Sequence, residues 1–193
     1  MKLKGTNLPK NKINTVSNIG SMVKLRPLQR QDSKLSVHWR NDPEIRDNIL
    51  STPFPVSEAL EDNWVENVLL DQSNSRIILG IETLVQQKLI GFIYLKNIDW
   101  ISRVTWFGIM IGEKNYQGKG MAREAMQILF NYAFSRINLR KICLEVGAFN
   151  SRAIKLYETL GFKQEGRLDK QIFLNNEYHD LILMSIFNNE FAS

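Results

Sequence analysis

Cysteine is nearly absent. The one thiol in 193 residues is Cys143, in the apolar run KICLEV, so neither a disulfide framework nor a cysteine cluster for a metal can form. The two histidines, His38 and His179, stand far apart with no second ligand at zinc spacing, and no metal is expected. No uninterrupted apolar stretch approaches the roughly 20 residues of a membrane span. The early lysines of MKLKGTNLPKNKINTVSNIG are not followed by the apolar core of a secretion signal. A cytoplasmic protein with no membrane partner is the expectation. Charge of one sign does not gather either. The net charge is +5, from 25 Lys and Arg against 20 Asp and Glu, but the cations are scattered through KLRPLQRQ, GKGMAR and NLRK with acids among them. Nucleic acid is therefore not an expected partner, and the bias suits a solvated surface or an anionic small ligand.

What is present fits one core. A chain of this length with 44% hydrophobic residues fills a single domain. Residues 1–20 are polar and without periodicity and read as a flexible tail, leaving a domain over 21–193. MVKLRP alternates and stops at a proline, as an edge strand does. DSKLSVHWRNDPEIRDNI reads as two short helices broken at Pro43. In TPFPVSEALEDNWVENVLL, Ser57 is a candidate N-cap and Leu60, Trp64 and Val68 fall at i, i+4, i+8, a helix stripe. RIILGIET, KLIGFIYLKNI and RVTWFGIMI then read as an antiparallel meander, with VQQK as the first turn. After it the pattern switches to a helix over 118–137 with Ala122, Ala125 or Met126, Leu129 and Ala133 inward, the buried strand RKICLEV, and the helix NSRAIKLYETLGF stopped at Gly161. Two strands around LNNEY close the chain. The class is α+β, a mostly antiparallel sheet with one strand-helix-strand crossover.

The stretch NYQGKGMAREA sits where the meander ends and that helix begins. Unpaired N–H groups and the helix dipole at such a point attract phosphate. Gly118 and Gly120 let backbone approach a bulky anion, and Lys119 and Arg123 add charge. A P-loop needs four residues between its first glycine and GK, whereas Gly112 to Gly118 encloses five and Lys119 is followed by Gly120 rather than a hydroxyl. A dinucleotide fingerprint fails at its third position, which is Arg123. The pattern that fits is Q/R-x-x-G-x-G/A, as Gln117, Gly120 and Ala122.

This pattern resembles the acyl-CoA-binding signature of the Gcn5-related N-acetyltransferases (GNAT). The resemblance runs over residues 22–188, from VKLRPL through the Asn-led helix with its tyrosine to the closing hairpin, and is closest to the ribosomal-protein-acetylating and spermidine-acetylating branches. It implies a central sheet of about seven strands flanked by helices, and acetyl-CoA as co-substrate. It also implies transfer of the acetyl group to a primary amine by direct attack in a ternary complex. Cofactor contacts then fall to Gln117, Gly118, Lys119, Gly120, Met121, Ala122 and Arg123 around the pyrophosphate. Backbone of Ile109, Met110 and Ile111, on a strand splayed by a bulge at Gly108, falls along the pantetheine. Asn150 and Tyr157, seven residues apart, lie within about 20° of each other around a helix and can face one ligand. The resemblance gives Asn150 a pantetheine hydrogen bond, beside its service as an N-cap, and gives Tyr157 the proton for the departing sulfur. Glu82, Glu113, Asp99 and Glu145 are the candidate bases. Glu145 is carried forward as the second catalytic candidate, although an exposed strand position also explains it.

The acceptor falls to the segments ahead of the signature. Arg40 and Arg46 argue against a polyamine, though Glu58, Glu61 and Asp62 form a local acidic patch, and Trp39 and Trp64 beside the arginines either suit an amino sugar on a nucleotide or a protein N-terminus or are both core side chains. The remaining small primary amines stay open. A second copy of the chain is an expected partner, since the family pairs through sheet edges. The alternative to an enzyme is a non-catalytic acyl-CoA-binding module on the same fold.

Overall fold

A computed structural model of the chain describes residues 17–50 and 54–191. Seven strands form one sheet in the order β1-β2-β3-β4-β5-β7-β6. The first four are β1 (Val23–Pro27), β2 (Ile77–Thr83), β3 (Leu89–Asp99) and β4 (Val104–Ile111). β5 (Lys141–Gly147), β6 (Lys163–Leu174) and β7 (Glu177–Phe187) complete it. Every neighbouring pair is antiparallel except β4 and β5. The crossover between those two carries helix α4 (Met121–Asn131), whose last turn widens into a π-helical stretch over Tyr132–Arg136. At the closing hairpin, Asn175 and Asn176 both take positive φ, the two-residue turn that the right-handed twist of paired strands prefers.

Alternation along the strands sends side chains to two cores. On one face Ile81, Ile93, Leu95, Phe107 and Leu144 meet Ala125, Met126, Leu129, Phe130 and Ala133 of α4. On the other, Phe92 and Met110 meet Leu28, Trp39 and Ile45. That second face is covered by α1 (Ser33–Asn41), α2 (Pro43–Arg46) and α3 (Glu58–Leu69). Asp42 caps α2 by accepting from Glu44 N–H, and Ser57 caps α3 by accepting from Leu60 N–H. α5 (Ser151–Thr159) follows β5 and ends at Gly161, whose φ is +97°.

Four expectations need correction. The helix expected over 118–137 begins at Met121, because Gly118 and Gly120 have φ of +75° and +83°. A right-handed helix has no place for these angles, so both glycines belong to the loop. The stripe expected on α3 turns by one residue. Leu60 is 55% exposed, while Glu61 and Val65 are 0% and 1% exposed. Glu61 goes inward because Ser36 donates to it and Arg40 pairs with it at 2.7 Å, so a buried charge has the partners it requires. The bulge expected at Gly108 is absent. Gly108 pairs in continuous register with Tyr94, and a Cβ at 108 would lie 2.1 Å from Cζ of Tyr94. Glycine there makes room for an aromatic ring. Last, the expected tail extends too far. Residues 17–20 fold back on β1, with Leu25 N–H donating to the Asn18 carbonyl and Asn18 Nδ2 to the Leu25 carbonyl; the rest of that tail lies outside the described residues.

Candidate active site

The site grows from a failure of pairing. β4 and β5 are parallel neighbours only over Val104–Trp106 and Lys141–Cys143, although β4 continues to Ile111 and β5 to Gly147. Beyond Trp106 the strands part. Gly112 N–H bonds to Ile90 on β3, so by the alternation of an antiparallel strand the backbone polar groups of Ile109 and Ile111 point away from β3 and into the gap. Gln117 closes the far end, its Nε2 donating to the Ile111 carbonyl at 2.9 Å.

Over this gap lies a cavity of about 560 Å³. Ile109, Met110 and Ile111 line it from β4, Gln117, Gly118, Gly120, Ala122 and Arg123 from the loop and first turn of α4, and Asn150 and Tyr157 from α5. Ten of the twelve residues expected at the cofactor therefore come together. Side chains of the other two turn aside. Lys119 lies with its Nζ 5.9 Å from the Tyr116 ring centroid, and Met121 packs against the core under α4. Arg152 of α5 also lines the cavity, with its guanidinium over Gly118, where an added Cβ would meet Nη2 at 3.0 Å. Two positive-φ glycines, two arginines and a helix N-terminus on one wall make a cradle suited to a pyrophosphate.

α5 presents both of its expected residues. Asn150 accepts from Ala153 N–H at 3.1 Å as the N-cap and lines the cavity too. Tyr157 is 9% exposed, packed edge-on to Phe107 and tilted on Phe162. Burial, and after it the neighbouring Tyr94, pushes its phenol up to about 12.

The candidate bases do not join Tyr157. Glu145 is exposed on β5 opposite Leu183 and lines neither this cavity nor the next; its charge acts on Tyr94, whose phenol is raised first by burial and then by Glu145. Glu82 is paired with Lys24 and Arg26, Glu113 with Lys88, and Asp99 accepts from the N–H groups of Ile101 and Ser102. None of the three lines this cavity or the next.

A second cavity, of about 320 Å³, adjoins the first and shares Ile49, Ile109 and Met110 with it. Arg40, Arg76, Lys96, Trp64, Phe92 and Tyr94 are in its walls. The acceptor residues expected from sequence divide here. Arg40 and Trp64 line the cavity, whereas Trp39 is core, stacked edge-on to Phe92, and Arg46 pairs with Asp47. Glu61 of the expected acidic patch is buried behind Arg40. The sequence offered no signal for Arg76 and Lys96, which lie 20 residues apart and meet only through strand register.

Comparison with known proteins agrees with this arrangement. Residues 23–163 match the model of the acetyltransferase (GNAT) domain. The chain is 32% identical over 171 residues to a spermidine N(1)-acetyltransferase of Escherichia coli, covering 89% of each chain. It is 32% identical over 142 residues to a putative ribosomal N-acetyltransferase of Bacillus subtilis, covering 71% of this chain and 76% of that one. Among solved structures, spermidine N-acetyltransferase from Vibrio cholerae in complex with CoA and spermine superimposes with a TM-score of 0.81 at 31% identity, over 89% of this chain and 98% of that one. With the gap between β4 and β5, the glycine loop and the tyrosine of α5 in one cavity, the chain belongs to the GNAT acetyltransferases and is an N-acetyltransferase that uses acetyl-CoA.

Proposed function

We propose that acetyl-CoA enters the larger cavity and a small primary amine the smaller, and that the two meet at Ile109 and Met110 of β4. The observation that carries this is the pair of adjoining cavities that share that segment as a common wall. Spermidine, for which the Escherichia coli and Vibrio cholerae relatives are named, is one amine to test. Backbone N–H groups of residues 118–123, with Arg123 and Arg152, hold the pyrophosphate. The outward polar groups of Ile109 and Ile111 hold the pantetheine and polarise the thioester carbonyl, as preorganised donors do. Asn150 bonds the pantetheine.

The amine nitrogen bonds to the carbonyl carbon, the C–S bond breaks, and one N–H proton ends on sulfur. Tyr157 serves that last transfer. Its phenol, at about 12, holds a proton more tightly than a free thiol, near 8.5. It therefore donates a hydrogen bond to the departing thiolate and relays the proton the amine gives up. No carboxylate among the described residues lines the acceptor cavity, and the amine reaches the site already deprotonated by solvent.

Replacing Tyr157 by Phe tests the assignment. Turnover should fall by about ten- to a hundredfold while the dissociation constant of CoA changes less than about twofold. Full turnover in Tyr157→Phe would remove the tyrosine from this role.

A further inference from the structure

The walls of the smaller cavity carry three cations. Arg40 is already held by Glu61. Arg76 gives its Nε to Asp71 and one Nη to the Asn67 carbonyl. Lys96 makes no ion pair among the described residues, and its Nζ lies 5.9 Å from the Tyr94 ring centroid. Antiparallel register sets Ile77 opposite Leu95, and one step further along the same ladder brings Arg76 beside Lys96. Like charges at adjacent strand positions repel. Asp71 and Glu61 each offset one arginine, so the excess positive charge rests on Lys96, over an aromatic floor of Phe92, Tyr94 and Trp64 and with no carboxylate among the described lining residues, and this suits a group of negative charge. A polycation entering this cavity would meet ammonium and guanidinium groups, with Glu61 out of reach behind Arg40.

Resting on the reading that this cavity admits the acceptor, we infer that the acceptor is a small amine bearing an anionic group, a carboxylate or a phosphate, held by Lys96 and Arg76. Its length follows from the strand. Tyr94, whose ring lies over Gly108 beside the shared Ile109, marks the reacting end. Lys96 stands two residues on along the same face of β3, about 7 Å away at the rise of an extended chain. The amine and the anion are thus separated by a few bonds. A volume of about 320 Å³, at the lower end of small-molecule sites, suits such a compound and is small for a nucleotide-linked sugar or a peptide.

Thiol release over matched pairs tests the inference: glucosamine 6-phosphate against glucosamine, an amino acid against its amide, and spermidine as the cationic arm. The anionic member of one pair should exceed its neutral partner at least tenfold in kcat/KM, and which pair does so distinguishes phosphate from carboxylate. Lys96→Gln and Arg76→Gln should each collapse that ratio toward one, and Lys96→Glu should invert it. Stabilisation by CoA serves as the check that each variant folds. Release that is equal or faster with neutral amines or spermidine, or a ratio indifferent to Lys96→Glu, overturns the inference while leaving the enzyme reading intact. Failure of that underlying reading looks different: no amine in any arm releases thiol, and acetyl-CoA fails to raise the melting temperature.

Discussion

At Tyr157 the same burial that suits the phenol to its proposed task leaves a signature in alkali. An exposed tyrosine titrates at 10.0 and this one at about 12, through burial first and Tyr94 second. The neutral form is the one the fold favours, so the contribution to stability is whole below pH 10 and is lost as pH rises through 12. A gap of this size amounts to about 3 kcal/mol at about 1.4 kcal/mol per unit. Absorbance at 295 nm should therefore show a late-titrating tyrosine that disappears in Tyr157→Phe, and the wild type should lose stability between pH 10 and 12 more steeply than the variant. The same value sets the rate profile. kcat/KM should climb with pH as the acceptor amine deprotonates, with no falling limb from Tyr157 below pH 10. A falling limb near pH 8 that vanishes in Tyr157→Phe would contradict the value and its cause.

Among the elements, α3 and the loop before α4 each hold position through a few residues. Glu61 anchors α3 to α1 through Ser36 and Arg40. Glu61→Ala should lower unfolding free energy by about 3–5 kcal/mol in urea denaturation, because Arg40 is left without its carboxylate. Glu61→Gln keeps an acceptor for Ser36 and should lose less. In the loop, Gly118→Ala forces a side chain into left-handed backbone, at about 1–2 kcal/mol, and crowds Arg152. Titration with CoA should show affinity weakened about five- to tenfold, with kcat at saturating acetyl-CoA nearly kept. These two elements also show what sequence could reveal. Strand alternation, the Pro43 break, Ser57, Asn150 and Gly161 mark boundaries through local chemistry, so the order of elements was legible, as was the glycine loop. The α3 face was not. A glutamate looks solvent-facing until the arginine of another helix is known to meet it. Likewise Gly108 promised a bulge, when its reason is a ring on the neighbouring strand, and Arg76 with Lys96 became a pair only through register.

For the molecule as a whole, two adjoining cavities with a shared wall at Ile109 and Met110 bear on the kinetic order. On the proposed reading acetyl-CoA and amine are bound together, and the acetyl group passes directly with no stop on the protein. The chain's one thiol is ill placed to provide such a stop. Cys143 is 7% exposed on β5, lines neither cavity, and has its thiol pushed up by burial, which holds it protonated and unreactive. Initial rates with both substrates varied should give intersecting reciprocal plots, and Cys143→Ser should retain the pattern. Parallel plots, or acetylated protein trapped in the absence of amine, would mean that the acetyl group rests on a side chain and that simultaneous occupancy is not the route. Binding of CoA alone should already be visible in the fold. A hundredfold excess over its dissociation constant adds about 2.7 kcal/mol, roughly 5–10 °C in melting temperature for a chain of this size. Because the larger cavity takes its walls from β4, α4 and α5 together, that shift should be nearly abolished when Arg123 and Arg152 are both replaced by Ala, and kept when Lys96 of the smaller cavity is replaced by Gln.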